Sequence, residues 1–150
     1  MKLLTGTNPK LISTGILLLR GMTGIIFFVA GAGKVLGWFG GFGMKATLDI
    51  FETNMHIGPF WASVSCYTEL IGGFLLIIGL FTRAAAFALM INMLVAVILT
   101  GFDKFFMGGA AWPFSLMISC IVILITGPMA FSLDALLNKD PGEYRISNKE

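Results

Sequence analysis

Long apolar runs dominate the chain and are broken at intervals by short polar or glycine-rich stretches. Four of these runs, 11–33, 60–81, 84–101 and 112–131, approach the ~20 residues that an α-helix needs to cross ~30 Å of hydrocarbon. The third is short, so it crosses with little tilt or extends slightly at either end. Only Thr82-Arg83 separates the second run from the third, which predicts a tight antiparallel hairpin. The pattern predicts an all-α membrane protein, a left-handed bundle of four transmembrane helices in one domain over 1–137. The remaining segment, 138–150, is polar and reads as a tail.

The longest break, 34–59, has a pattern of its own. It opens with GKVLGWFGGFG, where closely spaced glycines stop a straight helix and the aromatic rings suit a lipid interface. Met44, Leu48, Phe51 and Met55 then recur at i, i+4, i+7 and i+11, with Lys45, Asp49 and Glu52 off that stripe. This spacing predicts a short amphipathic helix between spans one and two. Such a helix lies in the interface as a connector or caps the mouth of the bundle.

Composition agrees with a bilayer as solvent. Of 150 residues, 57% are hydrophobic and 12% charged, and the mean hydropathy is +0.90. About a quarter of a soluble domain is charged, so this chain has too little polar surface to cover itself in water. The net charge is +2 and the basic residues are scattered, which argues against nucleic acid as a partner. Cys66 and Cys120 lie inside apolar runs without a CxxC motif and read as small core fillers. A single histidine, His56, cannot build a metal site alone.

Basic residues also set the expected orientation. Four spans place both termini and the 82–83 turn on one side, with Lys2, Lys10, Arg83, Lys139, Arg145 and Lys149. The other side holds Lys34, Lys45 and Lys104, in the connections 34–59 and 102–111. The excess places both termini in the cytoplasm. The basic start and the AGA at 30–32 resemble a secretory signal, but the apolar run is too long for one and Arg20 interrupts it.

Arg20 near the middle of the first span is the chemical anomaly. An arginine there costs ~3 kcal/mol on insertion scales unless its charge is answered. Glu69 is the acid of the second span. Counted at 1.5 Å per residue from the same side, Arg20 lies about 13 Å deep, Glu69 about 18 Å, Asn92 about 12 Å and Ser119 about 18 Å. Each span thus gives one polar group to one layer, and small residues such as Gly24, Gly72, Gly73 and Ala88 flank them. The expectation is a buried Arg20–Glu69 ion pair. It serves either to fix helix register or to build a pocket for the carbonyl or hydroxyl groups of a small ligand. Trp38, Phe39, Phe42 and Trp61 cluster near the outer interface, where flat rings stack on a ligand or form an ordinary aromatic belt.

Three stretches, LLLRGMTGIIFFVAGAGKVLGWFGG (17–41), ELIGGFLLIIGLFTRAAAF (69–87) and GPMAFSLDALL (127–137), carry a family resemblance. With R…G…F…AG.GK, E..GG..L..GL.TR and FSLD, the chain resembles the DoxX family of small bacterial membrane proteins over 11–137. Arg20, Lys34, Glu69 and Arg83 match that family's polar positions. The resemblance implies a four-helix protein of the cytoplasmic (inner) membrane. The family is named for a subunit linked to terminal quinol oxidase and thiosulfate:quinone oxidoreductase systems, and relatives are placed in membrane-associated oxidoreductase complexes.

Three functions follow as expectations. The first is a membrane subunit of a respiratory or redox-stress oxidoreductase system. It would bind a quinone through Arg20, Glu69, Asn92, Ser119, Trp38 and Trp61, hold no cofactor within the chain, and rely on partner subunits for electron transfer. The second is a small proton-coupled transporter built around Glu69. Arg20, which would keep Glu69 ionised, weighs against it, as does the lack of an inverted repeat. The third is a non-catalytic scaffold or assembly protein. Gly33 and Gly37 suit either contacts between copies in a homo-oligomer or a tight turn.

Overall fold

The computed structural model describes residues 9–101, 109–128 and 132–137. Over them the chain forms α1 (Pro9–Leu36), a 3-10 turn (Trp38–Gly40), α2 (Gly43–Met55), α3 (Pro59–Ile78), α4 (Thr82–Thr100), α5 (Ala111–Thr126) and α6 (Leu133–Leu137). Helices α1, α3 and α4 are long and apolar enough to cross a membrane; α5 is apolar but shorter. The amphipathic stripe of the 34–59 break is α2. The predicted tail, 138–150, and most of the 102–111 connection lie outside the described residues.

The element boundaries follow local chemistry. Helix α1 has 28 residues, about 42 Å, so it outruns the hydrocarbon and takes Lys34 into its last turn. It stops where Gly37 adopts the left-handed conformation, φ 71°. Pro59 starts α3 at a position where no amide donor is missed. Gly79, φ 69°, ends that helix, and its amide returns to the Leu75 carbonyl. The tight turn is therefore Gly79–Phe81, and Thr82-Arg83, expected as the connector, is the first turn of α4. Helix α5 ends at Thr126 rather than 131, because Gly127 turns to a positive φ of 74° and Pro128 after it cannot continue the helix.

The four apolar helices pack in a ring: α1 against α3 and α5, and α4 against α3 and α5. The α1–α3 seam is the closest. A Cβ on Gly31 would sit 2.4 Å from the Leu70 amide nitrogen, and one on Gly73 2.4 Å from that of Phe28. The backbones approach because these positions carry no side chain. This seam fixes an antiparallel register, with Gly24 against Gly73 and Ile77, and Gly31 against Glu69 and Leu70. Phe27, Leu76, Leu89, Met93, Leu116, Cys120 and Ile123 fill the interior, with Cys120 as a small filler. Leu18, Phe60, Ile98 and Ile125 remain 62–72% exposed and face outward, as residues meeting lipid do.

Gly33 and Gly37 act within the chain: they pack on Gly41 and Gly43 as the backbone doubles back through the 3-10 turn. Helix α2 then lies over the end of α1, where the buried Thr47 hydroxyl donates to the Lys34 carbonyl at 3.3 Å. It also packs on α3.

Candidate functional site

Midway along α3, Glu69 is 4% exposed and accepts hydrogen bonds on both carboxylate oxygens. Lys34 Nζ of α1 donates to Oε2 at 2.5 Å, forming an ion pair. Asn92 Nδ2 of α4 donates to Oε1 at 3.4 Å. The Ser65 hydroxyl, one helical turn before Glu69, donates to Asn92 Oδ1 at 2.8 Å. Ser65 thus fixes which end of the Asn92 amide faces the carboxylate. Three helices converge on one buried carboxylate, and each contributes a group of the type it needs.

The basic partner is Lys34, not Arg20. The Arg20 guanidinium donates to the Pro128 carbonyl at 2.8 Å and lies against Gly79, at the opposite end of α3 from the Lys34 side. Side chains on a helix lean toward its N-terminus. Arg20 therefore leans away from Glu69, toward the end where α1 begins, while Lys34 leans back into the bundle and reaches Glu69. In the α1–α3 register Arg20 stands level with the α3–α4 turn. Depth counted from span ends taken as level missed this, because the seam sets Glu69 opposite Gly31, eleven residues or about 16 Å along α1 from Arg20.

At that other end Arg20 is 1% exposed and belongs to a second cluster. Asp134 of α6 accepts from the amides of Phe81 and Thr82, each at 2.8 Å, and so caps the start of α4. Its own amide donates to the Gly79 carbonyl at 3.0 Å. Burial pushes the Asp134 carboxyl up, but those amides and the nearby Arg20 charge outweigh it and hold Asp134 below its ordinary value.

Lys34, Glu69, Asn92 and Ser65 line a partly open cavity of about 1360 Å³ bounded by α1, α2, α3, α4 and α5. Its lining is mostly apolar. Phe51, Met55 and His56 from the end of α2 contribute to it, as do Trp61 and Trp112. Of the expected site residues, the structure brings together Glu69, Asn92 and Trp61. It leaves out Arg20, Ser119 and Trp38. The Ser119 hydroxyl donates to the Ser115 carbonyl of its own helix at 3.0 Å, the usual local outlet for a hydroxyl in an apolar helix. Trp38, 54% exposed, sits on the 3-10 turn with its ring edge-on to Phe39. Ser65, and Lys34 as partner of Glu69, were not anticipated. The i, i+4 spacing of Ser65 and Glu69 was the available signal.

The family model described as DoxX matches residues 15–102. The protein named "Putative oxidoreductase CatD" of Bacillus subtilis (strain 168) is 35% identical over 138 residues, covering 92% of this chain and 98% of that relative. "Inner membrane protein YqjF" of Escherichia coli (strain K12) is 31% identical over 133 residues, covering 87% of this chain and 97% of the relative. No solved structure matches the chain. With its apolar helices and this match, the chain is a multi-pass membrane protein that belongs to the DoxX family.

Proposed function

We propose that the protein is the membrane component of an oxidoreductase system, and that its cavity holds the ring of a lipid-soluble quinone on the Lys34–Glu69–Asn92 cluster. The observation that carries this reading is a large apolar cavity with its charged and amide groups gathered at one point. A quinone needs this division: an apolar slot for the ring and donors for its carbonyl oxygens. Lys34 carries three donor hydrogens, and its side chain, 32% exposed, keeps access to the cavity. When a quinol is oxidised, its hydroxyl releases a proton that the Glu69 carboxylate can accept, and that proton returns to the ring oxygen when the quinone is reduced. Trp61 and Trp112 offer faces on which a flat ring stacks. The oxidoreductase name of the Bacillus subtilis relative supports the redox assignment. Electron-transfer centres then belong to partner subunits.

The purified protein in detergent should bind menadione, the tailless naphthoquinone ring, saturably. Lys34→Met and Asn92→Ala should each weaken that binding by tenfold or more, whereas Trp38→Ala, outside the cavity, should leave it unchanged. No saturable binding, or equal binding by all variants, would overturn the reading.

In the same reading both termini face the cytoplasm, because the basic residues concentrate on that side. Single cysteines replacing Lys45 and Arg145 should then label from opposite sides of the membrane, against a background of buried, unreactive Cys66 and Cys120. Equal labelling of both by an impermeant reagent in intact cells would overturn this topology.

A further inference from the structure

The cavity is larger than a quinone ring requires. Pockets for drug-sized ligands run to roughly 300–1,000 Å³, whereas this one has about 1360 Å³. Its shape is elongated: the α4 lining runs from Phe87 to Thr100, about 20 Å along that helix. The polar cluster occupies one part of that length, and nearly all the rest is apolar.

The cavity is partly open, and several residues on its margin are exposed. Val64 of α3 and Ile91 and Val95 of α4 line the cavity and are also 43%, 41% and 45% exposed. These two helices are neighbours in the ring, and their outward faces meet lipid. The Ser65–Asn92 hydrogen bond joins the same two helices beside this margin and ties it to the polar cluster. The apolar groove between α3 and α4 is thus continuous with the Glu69 site at its inner edge and with the bilayer at its outer edge. A soluble ligand has no use for such an opening, whereas an amphiphile with a long hydrocarbon chain can leave that chain in it.

We infer that the ligand is a prenylated quinone, which enters from the lipid between α3 and α4 and leaves its isoprenoid tail in the groove past Val64, Ile91 and Val95. This inference rests on the quinone reading of the Lys34–Glu69–Asn92 cluster and adds the tail, its place and the route of entry. The ring meets the polar cluster, and the tail makes only apolar contacts. Tail recognition is therefore tolerant of the exact isoprene number and sensitive to the volume of the groove.

The test compares menadione with menaquinone-2, the same ring carrying two isoprene units, on the purified protein in lipid nanodiscs. Affinities are expressed per mole of quinone in the lipid phase, so that partition alone gives the tail no advantage. Menaquinone-2 should bind at least tenfold tighter than menadione. Val95→Phe, and independently Ile91→Phe, should fill the groove and reduce that ratio to less than threefold, with unfolding temperatures near wild type showing that the bundle is intact. Equal affinity for the two quinones, or a ratio undiminished in both variants, would overturn the tail groove while menadione binding left the head-group reading standing. Absence of binding by both quinones would overturn the head-group reading and the tail groove together.

Discussion

Lys34→Met is expected to destabilise the protein more than Glu69→Gln does, and the double variant is expected to be more stable than Lys34→Met alone. The asymmetry comes from burial. Glu69 is 4% exposed, so removing the ammonium leaves a carboxylate in a low-dielectric interior with the Asn92 amide as its remaining donor. Orphaning one member of a buried pair costs about 3–5 kcal/mol. Glu69→Gln orphans the other member, but the Lys34 side chain is 32% exposed and, in the last turn of α1, can turn its charge toward the interface. The Gln carbonyl also still accepts one hydrogen bond. That loss should be nearer 1 kcal/mol, the ordinary net worth of a hydrogen bond. In the double variant a neutral amide replaces the orphaned carboxylate, so most of the Lys34→Met penalty disappears. Residual folded protein after heating in detergent, followed by gel filtration, measures all three. Strictly additive losses would show that the two side chains act independently.

This contact also shows how far the sequence could be read. Span positions came from long apolar runs, a signal carried by many residues at once, and the shifts were at the ends. The amphipathic stripe at Met44, Leu48, Phe51 and Met55 located α2 because 3.6-residue periodicity is local. Glu69 and Asn92 shared a predicted layer, and they meet, because both sit on helices whose depth could be counted and their side chains are short. Arg20 and Lys34 were misplaced because the first two spans were counted from ends assumed level. The glycine seam instead sets Gly31 opposite Glu69, about 4.5 Å from Lys34 and about 16 Å from Arg20 along α1. One correction of register reassigns both residues, Arg20 to the α3–α4 turn and Lys34 to Glu69. Ser119 failed for another reason: a hydroxyl in an apolar helix can satisfy itself on the preceding turn, so its presence predicts no partner. The cap that Asp134 places on α4 joins residues 52 and 53 positions apart, and no local pattern announces it.

The second cluster carries the other large expected effect. Arg20→Met should cost about 1.5–3 kcal/mol, the range for hydrogen bonds to a charged group, since the Pro128 carbonyl loses a charged donor inside the protein. It should also loosen α6, because the Arg20 charge helps to hold Asp134 on the α3–α4 turn. Asp134→Ala removes the cap itself and should cost about 0.5–2 kcal/mol. The two losses should fall short of additivity, because each variant already releases part of what the other holds. The pH dependence has a definite sign. Asp134 is held below its unfolded value of ~3.9, so its contribution is complete above that value and is lost as pH falls through the lower folded value. The stability gap between wild type and Asp134→Asn should therefore be flat from neutral pH down to about pH 5 and should close in stronger acid. Amide hydrogen exchange gives the local readout, since Phe81 and Thr82 donate to Asp134. Both amides should exchange faster in Arg20→Met and faster still in Asp134→Ala, while amides around Glu69 keep their protection. If Phe81 and Thr82 stay protected in Arg20→Met, the guanidinium holds Pro128 alone and α6 docks without it.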